Sequence, residues 1–342
     1  MSDTAFSLYY SWMLQCLRAL TGAPAAAGIA ARRRLAMMSL PPASTVDMPV
    51  AEGPPPDRAA TGSWAAIATL SPPQTAEQTL ALIETTQLLL SQLEADAAPI
   101  PIPADMAGNI RLDLGELSSE VGATIRRERA NEVRGLYVII DPQVTGGRDP
   151  YDIAVAAING GARMLQLRDK LRDKGESLPL AAALQDLCRR NGALLIINDH
   201  ADVAAAVGSG GLHVGQTDLP VAQARQVLSP RQVMGRSNRE FEQLEESKHM
   251  GADHLAFGAI YATTSKGVAR NPQGPERVRE AKSIAGDNPL VAIGGINLDN
   301  VAPVVEAGAD AICVTAAIGS AGNPEAAAAA MVAAIESAGG RV

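Results

Sequence analysis

From residue 135 onward, eight short apolar runs alternate with helical patterns: GLYVIID, RMLQLR, ALLIIND, GLHV, QVMGRS, HLAFGAIY, LVAIGGI and AICVT. Runs that are apolar at nearly every position, rather than at alternate ones, predict parallel strands covered on both faces. Eight strand–helix units in succession argue for a closed (β/α)8 TIM barrel. The competing architecture is a doubly wound open sheet. It is weakened because no GxGxxG follows the first run.

Residues 1–130 have a different texture. Twelve of the 22 prolines fall before residue 104, in clusters such as GPPPD and IPIPAD. Proline blocks strands and helix interiors, so much of this segment is expected to be linker. One exception is TAEQTLALIETTQLLLSQLEAD, where Thr75 and Gln78 have capping-box spacing and Leu82, Leu89 and Leu93 can share a face. That pattern predicts an amphipathic helix, with a second near residues 116–131. The expected organisation is therefore an extension over 1–130, largely linker or disordered with one or two helices, followed by a barrel over 131–342.

Composition narrows the function classes. A hydrophobic content of 47% with 19% charged residues describes a soluble chain able to bury a large core. The net charge of -8 argues against a general nucleic-acid binder, although a local basic pocket for a phosphorylated small molecule stays open. Cys16, Cys188 and Cys313 form no CxxC, and His200, His213, His249 and His254 form no HExxH. Neither a disulfide framework nor a zinc site is indicated, and a reducing cytoplasm fits best. The apolar stretch AFSLYYSWMLQCL is too short to span a bilayer, and Asp3 with no basic n-region speaks against a signal peptide. The acid-free stretch between Asp3 and Asp47 carries Arg18, Arg32, Arg33 and Arg34. That bias is like an organelle transit peptide, while a disordered start is the plainer explanation.

If the chain is a barrel, its chemistry belongs at the C-terminal ends of the strands. Asp199 ends the third run and Asp218 follows the fourth, which makes them neighbours at the mouth. Either acid alone could be a helix N-cap. Together they form an all-oxygen pair suited to Mg2+ with waters and phosphate oxygens. The second run ends in QLRDK, where Gln166, Arg168 and Lys170 alternate onto one face, and Arg168 and Lys170 are sensible polyphosphate ligands. The sixth run leads into YATTSKG, with Thr263, Ser265 and Lys266 on a loop. Gly294 and Gly295 after the seventh run allow close backbone approach, and a helix is expected from about residue 323 after the eighth. Ser237, with Glu240 three residues on, is placed to N-cap the next helix and could also face a substrate.

Residues 135 to 338 resemble the thiamine-phosphate synthase family across the whole barrel, through QLRDK, IND, HVGQTD, GRS, TTSK, AIGGIN and VTAAI in order. The resemblance implies an enzyme joining hydroxymethylpyrimidine diphosphate to hydroxyethylthiazole phosphate, with release of pyrophosphate. It implies Mg2+ on Asp199 and Asp218, and pyrophosphate contacts from Arg168, Lys170, Asn198 and Lys266. Gln166 falls on the pyrimidine side and Ser237 near the leaving pyrophosphate. Thr263, Ser265, Gly295 and Thr315 fall on the thiazole-phosphate side. The partners implied are these two small molecules, with no nucleic acid and no membrane; a homo-oligomer stays open.

The pattern departs from the family at Tyr261-Ala262, Ser265, Thr315 and Arg239. The first three keep hydroxyl or backbone contacts. Arg239 stands where many relatives carry a histidine after the GxS; the resemblance implies that the related thiazole tautomerases use a histidine there, so its absence favours the synthase. A tautomerase-like isomerase and a non-catalytic thiamine-precursor binder are the alternatives.

Overall fold

The computed structural model describes residues 3–38, 70–95, 104–263 and 271–342. They fall into two compact units that divide between Ile125 and Arg126.

The first unit is helical, with α1 (Asp3–Thr21), α2 (Ala30–Met37), α3 (Ala76–Ala95) and most of α4 (Ala104–Ala130). It has its own core, drawn from Met13, Leu17 and Leu20, Leu35, Ile83 and Leu90, and Ile110, Leu114 and Leu117. Among the described residues, four helices replace the expected one or two. The described prolines of this unit stand outside the α-helices: Pro24 starts a 3-10 turn and Pro72-Pro73 precede α3. Proline here delimits helices instead of excluding them. The GPPPD cluster and most of IPIPAD lie outside the described residues.

The predicted capping box forms: Gln78 N–H donates to Thr75 Oγ1 at 3.1 Å, and Thr75 N–H donates to Gln78 Oε1 at 3.4 Å. The buried stripe of α3 runs through Leu80, Ile83, Leu90 and Leu93, and Leu82 and Leu89 flank it. Two arginines of the acid-poor stretch have structural duties. Arg34 pairs with Asp113 and Glu116, both at 2.6 Å, and Arg32 donates to the Thr21 carbonyl. Among the described residues, no helix is long and apolar enough to cross a membrane.

The second unit is a closed eight-stranded parallel barrel. Its strands are β1 (Gly135–Ile140), β2 (Met164–Leu167), β3 (Leu194–Asn198), β4 (Gly211–Val214), β5 (Val233–Asn238), β6 (His254–Gly258), β7 (Leu290–Ile293) and β8 (Ala311–Val314). Each matches one of the eight apolar runs, and the helices of this unit after α4 are α5 (Pro150–Asn159), α6 (Lys174–Arg190), α7 (Ala201–Val207), α8 (Val221–Val227), α9 (Phe241–His249), α10 (Pro275–Ala285), α11 (Val301–Glu306), α12 (Ala316–Gly319) and α13 (Pro324–Ser337). Pairing of Gly135 with Ala311 and Val138 with Val314 closes the ring.

Strand alternation splits the apolar residues into two cores. Leu136, Val138, Leu165, Ile197, Leu255 and Phe257 face the helices. Tyr137, Met164, Ile196, Val233, Ala256 and Val291 fill the interior. The inward parity therefore fixes which strand-end residues reach the mouth: Asp141, Arg168, Asn198 and Ser237 share it with these interior residues.

The unit boundary falls five residues before the sequence boundary at 130/131, and the end of α4 explains the difference. Arg126 approaches Asp253 at 3.4 Å and donates to the Pro230 carbonyl at 2.7 Å. Asp253, at the foot of β6, also accepts from the Met234 N–H at 2.7 Å and pairs with Arg225. One largely buried carboxylate thus joins α4, α8 (Val221–Val227), β5 and β6. Removing it leaves buried cations without a counter-charge. Asp253→Ala is expected to lower the stability of the full chain by about 3 kcal/mol, read from urea unfolding. A loss under 1 kcal/mol would show that the cluster contributes little.

Candidate active site

The mouth of the barrel holds a cavity of ≈ 680 Å³. Among the sequence-predicted residues, Arg168, Lys170, Asn198, Asp199, Asp218, Ser237, Thr263, Gly295 and Thr315 line it. Ser265 and Lys266 lie outside the described residues. Gln166 does not line the cavity. It is buried one layer below, where its Nε2 donates to the Tyr137 hydroxyl at 2.6 Å. Burial pushes the Tyr137 phenol well above its ordinary pKa, so it stays protonated as a fixed polar floor.

Asp199 reaches the mouth by a route that alternation would forbid. It follows Asn198, whose parity is inward, so an extended backbone would turn Asp199 toward the helices. Instead Asp199 has φ of 61° and is the only non-glycine residue with positive φ among those described. This left-handed turn costs roughly 1 kcal/mol, less for Asp than for bulkier residues. It lets the Asp199 carboxylate pair with Lys170 from the loop after β2. The helix that follows, α7 (Ala201–Val207), has His200 at its N-cap position, so Asp199 is not a capping residue. Asp218 is not one either: its Oδ2 accepts from the Gly215 N–H at 2.7 Å, and Pro220 holds the N-cap position of α8.

Each acid is engaged through Oδ2. No group of three or more His, Cys, Asp or Glu comes together among the described residues. Two carboxylates on neighbouring strand ends, with room beside them, fit a hard cation that keeps waters and takes up phosphate oxygens; they do not fit a closed protein cage.

The Ser237 expectation needs correcting. Ser237 is still inside β5, and the N-cap of α9 (Phe241–His249) is Glu240, which forms a capping box with Gln243. Strand β5 simply runs further than the apolar pattern indicated. Ser237 Oγ instead lies 2.8 Å from His213 Nε2.

Gly294 and Gly295 have φ of 104° and 68°. A Cβ on Gly295 would stand 2.5 Å from the Ala262 carbonyl oxygen, and one on Gly294 would stand 2.5 Å from the Ala259 Cβ. The glycines thus admit the loop after β6, and they also line the cavity. Thr315 ends up just before the short α12 (Ala316–Gly319), and α13 (Pro324–Ser337) starts where expected, with Asn323 accepting from the Ala326 N–H at 3.0 Å.

One residue escaped the sequence reading, and a second, Arg239, entered it only as a departure from the family pattern. Asp141 ends β1 with inward parity, is almost fully buried, and pairs with Arg168 at 2.5 Å. The signal was present, because GLYVIID ends in an acid just as ALLIIND does. Arg239 also lines the cavity, with Nη2 donating to the Asn271 carbonyl at 3.0 Å. Among the described residues the charged lining balances Arg168, Lys170 and Arg239 against Asp141, Asp199 and Asp218, in a chain whose overall charge is -8. Cations held in place by carboxylates in a concave site are suited to a polyanionic ligand that arrives with its own counter-ion.

Known proteins resemble this chain. Residues 136–318 match the family described as thiamine monophosphate synthase. A thiamine-phosphate synthase of Moorella thermoacetica is 42% identical over 193 residues, covering 56% of this chain and 91% of that protein. A thiamine biosynthesis bifunctional protein of Symbiobacterium thermophilum is 41% identical over 212 residues, which is 62% of this chain; the chain spans 43% of that longer protein. The solved thiamine phosphate pyrophosphorylase of Pyrococcus furiosus superposes with a TM-score of 0.56 at 30% identity, covering 61% of this chain and 98% of that one. The family match lies wholly within the barrel unit, from β1 to α12. By its barrel, its strand-end residues and these likenesses, the chain belongs to the thiamine monophosphate synthase family.

Proposed function

We propose that the barrel mouth joins hydroxymethylpyrimidine diphosphate to hydroxyethylthiazole phosphate, giving thiamine phosphate and pyrophosphate. One observation carries this reading. In a chain of this family, Arg168, Lys170, Asn198, Asp199, Asp218 and Ser237 all line one cavity.

The reaction is an alkyl transfer without redox change. The C–O bond of the pyrimidine methylene breaks, its electron pair leaves with pyrophosphate, and the thiazole nitrogen lone pair forms the new C–N bond. The aminopyrimidine ring can stabilise the intervening cation. Catalysis then consists largely in stabilising the departing charge and orienting the nucleophile. Arg168 offers a forked donor and Lys170 a mobile point charge for the diphosphate. Ser237 and Asn198 add neutral hydrogen bonds, and Lys266 a further ammonium. Thr263, Gly295 and Thr315 hold the thiazole phosphate from the opposite rim, and the family resemblance adds Ser265 to this set. Gln166, buried one layer below the cavity with its amide on the Tyr137 hydroxyl, supports the pyrimidine side from beneath and does not contact the ligand itself. Asp199 and Asp218 would hold Mg2+, which neutralises charge on the diphosphate when bound. Cys16, Cys188 and Cys313 are buried and none is in a disulfide among the described residues, which is consistent with a reducing compartment such as the cytoplasm.

The test is release of pyrophosphate by the purified full chain with both substrates and Mg2+. No release would sink the reading. Asp141 gives a sharper check on the Arg168 role. Asp141→Asn keeps the side-chain shape that accepts from the Gln143 N–H but removes the charge that aims Arg168. It is expected to lower kcat/KM for the diphosphate about tenfold, the worth of one charge-assisted hydrogen bond. Unchanged kinetics would show that Arg168 needs no such support.

A further inference from the structure

Two imidazoles lie in the barrel interior below the mouth. His254 opens β6 with the inward parity of Ala256, and none of its surface reaches solvent. Neither of its ring nitrogens has a hydrogen-bond partner among the described residues. Its ring stacks on that of His213, with centroids 5.9 Å apart and planes inclined by 29°. Gly235 of β5 makes room for both rings. A Cβ at Gly235 would stand 2.0 Å from His254 Nε2 and 2.7 Å from His213 Nδ1. These two nitrogens therefore border the same small space. On the far side of its ring, His213 Nε2 meets Ser237 Oγ, and Ser237 lines the cavity.

We propose that His254 is a positioning residue: across the gap at Gly235 it donates to His213 Nδ1, holds His213 in the Nε2–H tautomer, and so directs the Ser237 hydroxyl proton into the mouth. The chemistry follows from counting protons. A neutral imidazole has one N–H and one acceptor nitrogen. Burial pushes His254 down to about 4, so near neutral pH it carries a single N–H. If that proton points from Nε2 toward His213 Nδ1, directly or through one water, His213 Nδ1 must be the acceptor. The one proton of neutral His213 then sits on Nε2 and is donated to Ser237 Oγ. Ser237, already accepting, has its own O–H left for an oxygen in the cavity. With the opposite tautomer Ser237 would donate downward to His213, and the mouth would face a lone pair, which repels a phosphate oxygen. No proton changes owner in this scheme; the chain only fixes which way each one points. It also relieves the cost of burying His254 unpaired.

The catalytic value of this orientation rests on the synthase reading given above, but the tautomer does not. The first experiment is ¹⁵N NMR of the histidine side chains in the full-length protein at pH 7. The expected result is a His213 ring protonated at Nε2, and an Nδ1–H signature would overturn the proposal. The second is kinetic. His254→Phe keeps the ring and removes both nitrogens. It is expected to lower kcat about tenfold, as for loss of one oriented neutral hydrogen bond, with KM for the diphosphate unchanged. His254→Gln, which retains a donor, is expected to recover most of the loss. In a Ser237→Ala background, His254→Phe is expected to have no further effect. An equal loss with and without Ser237 would mean that His254 merely packs, and the proposal would fall. Should His254→Phe not fold, the wild-type tautomer and the His254→Gln kinetics decide alone. Absence of pyrophosphate release by the wild type would count against the synthase reading and leave the tautomer result standing.

Discussion

Asp199→Asn and Asp218→Ala are each expected to lower Mg2+-dependent pyrophosphate release about a thousandfold, or ~4 kcal/mol, while leaving the barrel folded. The two carboxylates stand on neighbouring strand ends and line one cavity, and among the described residues each is engaged through Oδ2. Asparagine is the better replacement at 199, since the backbone there has φ of 61° and asparagine tolerates that conformation where alanine is strained. Asp199→Asn also leaves Lys170 without its partner carboxylate. A fall in turnover through Lys170 alone should not depend on Mg2+, whereas loss of a metal ligand should raise the Mg2+ concentration required. Titrating Mg2+ against rate separates the two. Asp218→Ala gives up one hydrogen bond to the Gly215 N–H, worth about 1 kcal/mol of stability, or a few degrees in Tm. Full activity in either variant would remove both acids from the mechanism.

Lys266→Ala is expected to lower kcat about a hundredfold, ~3 kcal/mol, with a smaller change in KM for the diphosphate. In sequence, Lys266 falls between Thr263, which lines the cavity, and Asn271, whose carbonyl accepts from cavity-lining Arg239. An ammonium that meets charge developing on the leaving group is worth more in the transition state than in the ground state, so the loss belongs in kcat. Steady-state kinetics of pyrophosphate release in both proteins measure it. A change confined to KM would make Lys266 a substrate-holding residue only.

The architecture was readable from the order of residues because closure of a parallel barrel demands strands apolar on both faces. Such runs announce themselves without any knowledge of partners. The mouth was readable for a related reason: polar residues at the ends of those runs have nowhere else to go. Ser237 was misplaced because a polar strand end and a helix cap use the same residue types, and only backbone geometry tells them apart. The helical first unit was underestimated because proline density was taken as a property of the segment, when the prolines stand between helices that contain none.

What residue order could not supply is pairing across the barrel. Asp141 with Arg168, Gln166 with Tyr137, and His254 with His213 each join residues 27 or more positions apart or on strands not adjacent in sequence. Their meeting depends on register and on which face each strand turns inward. The left-handed turn at Asp199 is a still clearer case, since alternation alone would have pointed its carboxylate away from the mouth. Periodicity along a chain reports burial, a property each residue has by itself. Partnership is set by closure, because only the closed ring brings strand ends within reach of one another.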